Sequence, residues 1–266
     1  MIETPFNYTG SKFKLLEQIL PLFDYSKNNF ADVFCGGGSV YTNVVDRYES
    51  ITINDIISDL IGIHKGLMID DDIVNDTKLL CPGKENPEGY AKLREDYNLN
   101  PTSDKLWALM LSCTNNMMRY NQKFKFNQTY GNRGWNSNTD TKVGNFKNHI
   151  RKYNDKISYN STHFENLEFD SSYMIYIDPP YSNTEAGYNA FWKKDDDLKL
   201  YNWIKSADKE GCSFAVSGTL IHDGKACLLL DKLKSDGYQI IELKFDYNKV
   251  SRKGKKETNE VLIKNY

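Results

Sequence analysis

Four consecutive residues, Asp178-Pro179-Pro180-Tyr181, follow an apolar run at 173–177 that is suited to a buried strand. Neither proline has a backbone N–H, so strand pairing must stop there, and the two rings stiffen the turn that carries the Asp178 carboxylate. A carboxylate acceptor, the Pro179 carbonyl and the flat ring of Tyr181 would together suit a planar ring with an exocyclic amine, such as adenine. A purely structural Asp-Pro-Pro turn is the simpler alternative.

A second candidate segment is DVFCGGGSV at 32–40, where a short apolar strand runs directly into three glycines. Glycines at such a point let the backbone approach a ligand closely. A dinucleotide fingerprint would place a further glycine at position 41, where this chain has Tyr41, which argues against NAD but not against another adenosyl ligand. Asp55 ends the next predicted strand, where it could accept hydrogen bonds from a ribose or cap the following helix.

The net charge of -2 conceals an uneven distribution along the chain. Residues 105–160 hold ten Lys and Arg against two Asp, so this window carries +8 and the rest of the chain carries -10. Aromatic and amide side chains are interleaved with these cations, a mixture that suits a polyanion with readable base edges. A solvated loop is the alternative. A second basic run at 249–256 is more simply a solvated hairpin tip, although it could contact phosphates.

The composition argues against several classes of protein. No apolar run approaches the roughly 18 residues of a membrane helix, and the N-terminus lacks the apolar stretch of a signal peptide. The five cysteines are widely spaced and form no C-x-x-C pattern, so we expect neither a disulfide framework nor a metal site. We therefore expect a cytoplasmic protein without a membrane partner.

Short apolar strands alternate with helical patterns, which predicts a parallel α/β sheet that ends in an antiparallel hairpin. The predicted strands lie near residues 30–34, 51–53, 157–161, 173–177, 213–216, 238–247 and 259–263. Helical patterns dominate from 57 to 119, and we predict further helices over 39–48 (with Ser39 as its cap), 143–156, 196–209 and 225–234. The stretch 120–145 is typical of loops and hairpins because it is dense in Asn and Gly.

In this order and spacing, the motifs resemble the D12 class of Dam-type DNA adenine-N6 methyltransferases, which occur in bacteria, phages and restriction–modification systems. The resemblance runs nearly from end to end, through PFNYTGSK at 5–12, DVFCGGGSV at 32–40, Asn54-Asp55, His163-Phe164, DPPY at 178–181, Tyr188-Asn189 and Phe191-Trp192. The basic segment is similar to the family's target-recognition region at 116–119, 126–127 and 130–133. The sequence of glycine loop, recognition region and DPPY is that of the family's alpha class.

The resemblance implies an α/β fold, the class I S-adenosylmethionine-dependent methyltransferase fold. This fold is a Rossmann-like mixed sheet with a C-terminal reversed β-hairpin, here joined by a small helical and hairpin target-recognition subdomain. Residues 1–56 and 157–266 would form the catalytic domain, and residues 57–156 the DNA-binding subdomain. The implied reaction is methyl transfer from S-adenosyl-L-methionine to N6 of adenine in duplex DNA, by base flipping, at GATC or a related short site.

The same resemblance assigns roles to individual residues. Asp178, Pro179 and Tyr181 would be catalytic. The cofactor would contact Tyr8, Lys12, Phe34, Gly36, Gly38, Asp55, His163, Phe164 and Asp178. DNA would contact Asn116, Met117, Arg119, Lys123, Tyr130 and Arg133. Without the neighbouring motifs, Lys12 would be interpreted as a surface lysine and His163 as a hydrogen-bonded loop histidine.

The implied partner is double-stranded DNA, bound by a monomer in the cytoplasm of a bacterium or of a phage-infected host. The resemblance also allows a cognate restriction endonuclease that acts separately on the same site. Two alternatives stay open: an RNA or protein N-methyltransferase, and a DNA-binding module on a degenerate methyltransferase fold. Asp rather than Asn at position 178, with the basic segment, favours DNA adenine over the first. The intact Asp178, Lys12 and Asp55 argue against the second.

Overall fold

The computed structural model of the protein describes residues 1–6, 8–180, 192, 194–222, 224–244 and 258–266. Tyr181, Tyr188, Asn189 and Phe191 lie outside the described residues, as does the basic run at 249–256. The interpretations given to these residues therefore stay predictions.

One mixed sheet organises the described part of the chain. Its parallel strands are β1 (Asn29–Asp32), β2 (Ser50–Asn54), β3 (Ile157–Asn160), β4 (Tyr173–Ile177) and β5 (Ser213–His222). Antiparallel pairing adds the short β6 (Lys225–Ala226), β7 (Gln239–Leu243) and β8 (Thr258–Lys264). The order across the sheet is β3-β2-β1-β4-β5-β8-β7, with β8 inserted between β5 and β7. This topology confirms the predicted α/β fold with a reversed C-terminal hairpin.

The central strands are apolar on both faces because helices cover the sheet from both sides. Alternate residues of β4 belong to two different hydrophobic clusters: Met174 and Tyr176 to one, Ile175 and Ile177 to the other. All four are at most 1% exposed. The sheet therefore forms the middle layer of three and holds the carboxyl ends of its strands rigidly.

The helices between β2 and β3 cover one side of this core. They are α2 (Ser58–Ile69), α3 (Asp72–Leu80), α4 (Pro87–Leu99), α5 (Ser103–Ser112) and α6 (Ser137–Ile150). The short α1 (Leu16–Ile19), which precedes β1 in the chain, packs in the same apolar cluster. The opposite cluster is covered by α7 (Lys194–Lys209) and α8 (Leu228–Ser235). Trp107 of α5 shares one apolar cluster with Ile51 and Ile53 of β2, so the core of the helical segment continues into the sheet. No helix of the described chain is both long and apolar enough to span a membrane.

The strand order reverses between β1 and β4. From β1 the chain proceeds outward to β2 and β3 on one side, and from β4 to β5 on the other. In open α/β sheets the crevice at such a switch point is where ligands bind. Asp32 is in register with Tyr176, so the segments that follow β1 and β4, the glycine loop and Asp178-Pro179-Pro180, begin side by side.

The helix predicted over 39–48 is wrong. Only a short 3-10 helix, Tyr41–Asn43, forms there among turns, and it has no side-chain cap, so Ser39 does not act as one. The side chain of Thr42 donates to the Gly38 carbonyl at 2.7 Å, and that of Asn43 donates to the Ser39 carbonyl at 2.9 Å. Polar side chains thus compete for the carbonyl groups that a regular helix would use, a competition that disfavours α-helix.

The predicted boundary of α6 is also wrong, because the helix begins at Ser137 rather than near Val143. The Asn136 side chain accepts hydrogen bonds from the N–H groups of Asn138 and Thr139, at 3.0 and 3.1 Å. Asparagine is a strong helix N-cap, and this signal lay inside the stretch interpreted as loop. The segment before it, 120–133, forms only isolated bridges, Cys113 with Tyr130 and Tyr120 with Phe126.

Candidate active site

A cavity opens where the carboxyl ends of β1, β2 and β4 meet. It brings together most of the residues predicted to contact a cofactor: Tyr8, Lys12, Phe34, Gly36, Asp55, His163, Phe164 and Asp178. Gly38 belongs to the same glycine loop but does not line the cavity. Pro179 also lines the cavity, as do Asp32 and Trp192, to which the sequence interpretation gave no role.

Within the described part of the chain, Asp178 is held at the end of β4 by residues from different elements. Lys12 Nζ lies 2.8 Å from its Oδ2, and Ser217 Oγ donates to its Oδ1 at 2.9 Å. Lys12 is only 6% exposed, which rules out the surface-lysine interpretation. A largely buried carboxylate is costly unless it is paired and hydrogen-bonded, and these two contacts compensate that cost. The pair also ties the N-terminal segment to the sheet.

The glycine loop requires glycine at two positions. Gly36 and Gly38 have φ angles of +48° and +73°, a region that L side chains rarely adopt. A Cβ on Gly38 would lie 2.4 Å from Tyr41 Cε1 and 2.6 Å from His64 Cε1. A Cβ on Gly36 would lie 2.7 Å from Tyr8 Cε1. The loop is therefore packed against Tyr8 on one side and against Tyr41 and His64 on the other, and its shape depends on these side chains.

His64 of α2 supports the loop from below. It is fully buried, with Nε2 2.9 Å from the Gly36 carbonyl oxygen and Nδ1 2.9 Å from the Tyr41 hydroxyl. Burial lowers the pKa of His64 to about 4, so the ring is neutral at pH 7. The Gly36 carbonyl can only accept, so Nε2 carries the proton and Nδ1 accepts from Tyr41. No sequence motif pointed to this residue.

Asp55, directly after β2, is fixed by two backbone N–H groups. Its Oδ1 accepts from the Ile57 N–H at 3.0 Å in the turn before α2, and its Oδ2 accepts from the Gly36 N–H at 3.1 Å. The helix-cap interpretation is wrong, because Ile57 occupies the N-cap position of α2 and no side chain caps it. Burial raises the pKa of Asp55 to about 6, and the two hydrogen bonds oppose that rise. Each carboxylate oxygen can accept more than one hydrogen bond, so capacity remains for ribose hydroxyls.

Asp32 is the acidic residue that sequence reasoning missed. It ends β1 directly before the glycine loop, is 2% exposed, and its Oδ1 has no hydrogen-bond partner in the described structure. Burial raises the pKa of Asp32 well above its usual value, and the nearby charge of Asp178 adds to the rise. A buried acceptor without a partner is rare and suggests a ligand donor. An acid at the end of a strand that runs into glycines was the available signal.

The charges on the cavity wall favour a cationic ligand. Its described lining contains Asp32, Asp55, Asp178 and Asp196 but only one lysine, Lys12. The raised pKa values of Asp32 and Asp55 show that their charges are poorly compensated. S-adenosylmethionine, with a sulfonium and an ammonium group, would supply that compensation, so the residues present fit this cofactor.

Three aromatic rings form an apolar corner of the same cavity. Phe34, Phe164 and Trp192 lie with ring centroids 5.6 to 5.9 Å apart. Trp192 is oriented by a 2.6 Å hydrogen bond from Nε1 to Asp197. His163 stacks on Phe164 at 4.4 Å and forms a partly exposed pair with Glu165 at 3.2 Å. Such a corner suits a planar heterocycle such as the adenine of a nucleoside.

The predicted DNA contacts lie on the segment from Cys113 to Arg133. Arg119, Lys123 and Arg133 are exposed, and Asn116 and Met117 are partly buried. Arg133 lies 3.4 Å from the side-chain oxygen of Asn116. Tyr130 differs from these residues, because its hydroxyl donates to the Gly83 carbonyl and its ring packs on Tyr90 at 5.3 Å.

This basic segment is conformationally unusual and adjoins the cavity. Asn115, Asn116, Phe124 and Asn132 all have φ between 53° and 57°. Clusters of left-handed residues other than glycine occur where function outweighs local strain. Met118 and Tyr120 of the same segment line the cavity, and the exposed Arg119 lies between them in the chain.

A family model for D12 class N6 adenine-specific DNA methyltransferases matches residues 8–248. The chain belongs to this family. Similar proteins include modification methylase StsI of Streptococcus sanguinis, 32% identical, and type II methyltransferase M.FokI of Planomicrobium okeanokoites, 29% identical. Each match covers 100% of this chain but 43% of the relative, so the chain spans less than half of their length. Type II methyltransferase M.MjaIII of Methanocaldococcus jannaschii is 27% identical, over 97% of both chains.

We predict that Gly38→Ala in this D12-class chain lowers the free energy of unfolding by more than about 2 kcal/mol, because the methyl group meets two buried rings and the backbone is left-handed. Gly144→Ala is the matched control. It lies in α6 with open space around its Cβ, and helical alanine is more stable than glycine by about 0.5–1 kcal/mol. Thermal unfolding compares the two. Equal stability of the two variants would contradict the tight packing of the loop.

We also predict that the affinity for S-adenosylmethionine depends on the ionisation of Asp55. The association constant should be constant above pH 7 and fall as pH drops through about 6, approaching about tenfold per unit as the carboxylate is protonated. Because the pKa of Asp55 is raised in the folded protein, protonation of Asp55 stabilises the ligand-free fold as the pH falls through about 6. Unfolding would therefore not explain the loss of affinity. Calorimetric titration of the wild type and of Asp55→Asn tests this, and equal wild-type affinity at pH 5 and 8 would contradict it.

Proposed function

We propose that this chain transfers the methyl group of S-adenosyl-L-methionine to N6 of adenine in duplex DNA. The observation that carries the proposal is the placement of Asp178. It follows a buried strand, is held by Lys12 and Ser217, and lines a cavity whose other acids suit a cationic cofactor. Membership of the D12 class supplies the class of reaction and of substrate.

Each part of the cavity has chemistry that suits one part of the cofactor. Asp55 would accept from the ribose hydroxyls, the partnerless Oδ1 of Asp32 would accept from the ammonium group, and the glycine loop would lie against the methionine portion. The corner of Phe34, Phe164 and Trp192 would hold the cofactor's adenine. When bound, the cofactor supplies an electrophilic methyl group on a positively charged sulfur.

Asp178 and the Pro179 carbonyl would activate the substrate amine. The lone pair of an adenine amine is delocalised into the ring, so the nitrogen is a poor nucleophile. Two acceptors that bond its N–H groups favour a pyramidal nitrogen with a localised lone pair. That lone pair would form the new bond to the methyl carbon as the carbon–sulfur bond breaks and sulfur keeps its electron pair, and the methylated nitrogen would then lose one proton to water. These hydrogen bonds strengthen as positive charge develops on nitrogen, so they stabilise the transition state more than the ground state.

The target base must leave the duplex before it can present this amine. Flipping costs a few kcal/mol, and stacking on an aromatic ring returns about 1–3 kcal/mol. Tyr181, directly after the described Asp178-Pro179-Pro180 turn, is the residue to which we assign this stacking. A flipped base would reach the cavity from the side on which Met118 and Tyr120 lie.

Residues 57–156 would supply sequence recognition. The exposed Arg119, Lys123 and Arg133 carry the charge that DNA contacts require, and Asn116 and Met117 lie in the same segment. We propose a short site, GATC or a related sequence, read by a monomer in the cytoplasm of a bacterium or of a phage-infected host. The relatives named modification methylases support a restriction–modification setting with a separate endonuclease.

We predict that Asp178→Ala lowers methyl transfer by at least about 10³-fold, because the amine loses its charged acceptor. Labelled cofactor with duplex DNA, RNA and protein as separate acceptors gives the rate and the substrate class in one experiment. Asp170→Ala is the control, because it removes an exposed carboxylate from the turn before β4, at the opposite end of that strand from Asp178. Substantial transfer by Asp178→Ala, or wild-type transfer to RNA or protein alone, would contradict the proposal.

Arg133→Ala separates base reading from phosphate binding. A bidentate contact to guanine contributes about 1–3 kcal/mol of discrimination, so we expect the ratio of kcat/KM between the cognate site and a site with one altered base to fall by about tenfold or more. Lys152→Ala, outside the 113–133 segment, is a basic control. If Arg133→Ala instead weakens both sites equally, then Arg133 contacts phosphate.

A further inference from the structure

A buried hydrogen-bond chain ends at Asp178. The Tyr176 hydroxyl lies 2.7 Å from Ser217 Oγ, which lies 2.9 Å from Asp178 Oδ1. Tyr176 is 1% exposed and Ser217 is fully buried. The sequence interpretation gave neither residue a role, and the Asp-Pro-Pro-Tyr motif contains neither of them.

The direction of the chain follows from the chemistry of its ends. Burial, together with the charge of Asp178, raises the pKa of Tyr176 well above its usual value, so the phenol keeps its proton. The carboxylate at the other end can only accept. Ser217 therefore donates its single proton to Asp178 and accepts the proton of Tyr176, so each hydroxyl is used once as a donor.

The sheet fixes the geometry of this chain. Tyr176 and Asp178 are two residues apart and project from the same face as β4 ends. Ser217 reaches them from β5, where the neighbouring Val216 is paired with Ile177 on one side and β8 pairs on the other. Because two strands clamp the backbone of Ser217, its hydroxyl can act as a fixed anchor.

We propose that Ser217 and Tyr176 are positioning residues for the methyl transfer, an inference that rests on the proposed function. Ser217 fixes Oδ1 of Asp178, so Oδ2 is directed toward Lys12 and the cavity. Without that anchor, the carboxylate can rotate and offer both oxygens to the Lys12 ammonium. The acceptor for the substrate amine is then misplaced, although its charge is intact.

The test compares Ser217→Ala with Ser213→Ala. Ser213 is also on β5 and donates a partly buried hydrogen bond to an aspartate, Asp24, at 2.6 Å, but it begins the strand, away from Asp178. Misplacement of a reacting group by about 1 Å can cost 10²-fold, so we expect kcat of Ser217→Ala to fall by about 10- to 100-fold with an unchanged KM for the cofactor. Ser213→Ala should lose similar thermal stability and keep the wild-type kcat.

A second pair of variants tests the chain itself. Tyr176→Phe should lower kcat by a smaller factor than Ser217→Ala, whereas Tyr173→Phe on the same strand should leave kcat unchanged. Because Tyr176 acts through Ser217, adding Tyr176→Phe to Ser217→Ala should lower kcat no further. Ser217→Thr, which keeps the hydroxyl, should recover more activity than Ser217→Ala.

The outcomes distinguish this inference from the proposed function. A wild-type protein that methylates no adenine would overturn the proposed function. If the wild type is active, then equal kcat for Ser217→Ala and Ser213→Ala would overturn only the positioning role. Additive losses in the double variant would overturn the claim that Tyr176 acts through Ser217.

Discussion

The structure depends on how one edge of the sheet accommodates buried carboxylates. Parallel strands β1, β2 and β4 are neighbours and end at the same edge, so Asp32, Asp55 and Asp178 are brought together. Lys12 pairs with one of them, and the pKa values of the other two are raised because burial disfavours their charged forms. Buried carboxylates of this kind lower the stability of the ligand-free protein. We infer that a cationic cofactor, when bound, offsets this cost by pairing with their charges.

The same edge connects the cofactor site with the segment proposed to bind DNA. The glycine loop is packed between Tyr8 above and His64 below, and His64 belongs to α2 of the helical segment. Tyr120 lines the cavity and its hydroxyl lies 3.2 Å from that of Tyr97 in α4. Through these contacts, the shape of the cofactor pocket depends on residues 57–156. A continuous apolar core between this segment and the sheet explains how the two can be held in a fixed relation.

The sequence predicted those features that depend on local patterns. Buried strands such as β4 are apolar throughout, and the Asp-Pro-Pro turn identified Asp178 because proline ends strand pairing. The helix over 39–48 was wrong because Thr42 and Asn43 bond neighbouring carbonyls, an outcome that propensity alone does not specify. His64 and Ser217 were missed because they approach the site only through the fold; Ser217, for example, is 39 residues from Asp178. Asp32 could have been recognised, since it directly precedes the glycine loop.

The central claim is that the carboxylate of Asp178 directs a methyl group to one nitrogen of one base. Its most direct test is mass spectrometry of nucleosides from duplex DNA that the purified protein has treated with S-adenosyl-L-methionine. We expect N6-methyladenine, confined to one short sequence, with cytosine unmodified. Methyl groups on cytosine, or adenines that stay unmodified with folded and cofactor-bound protein, would contradict the account.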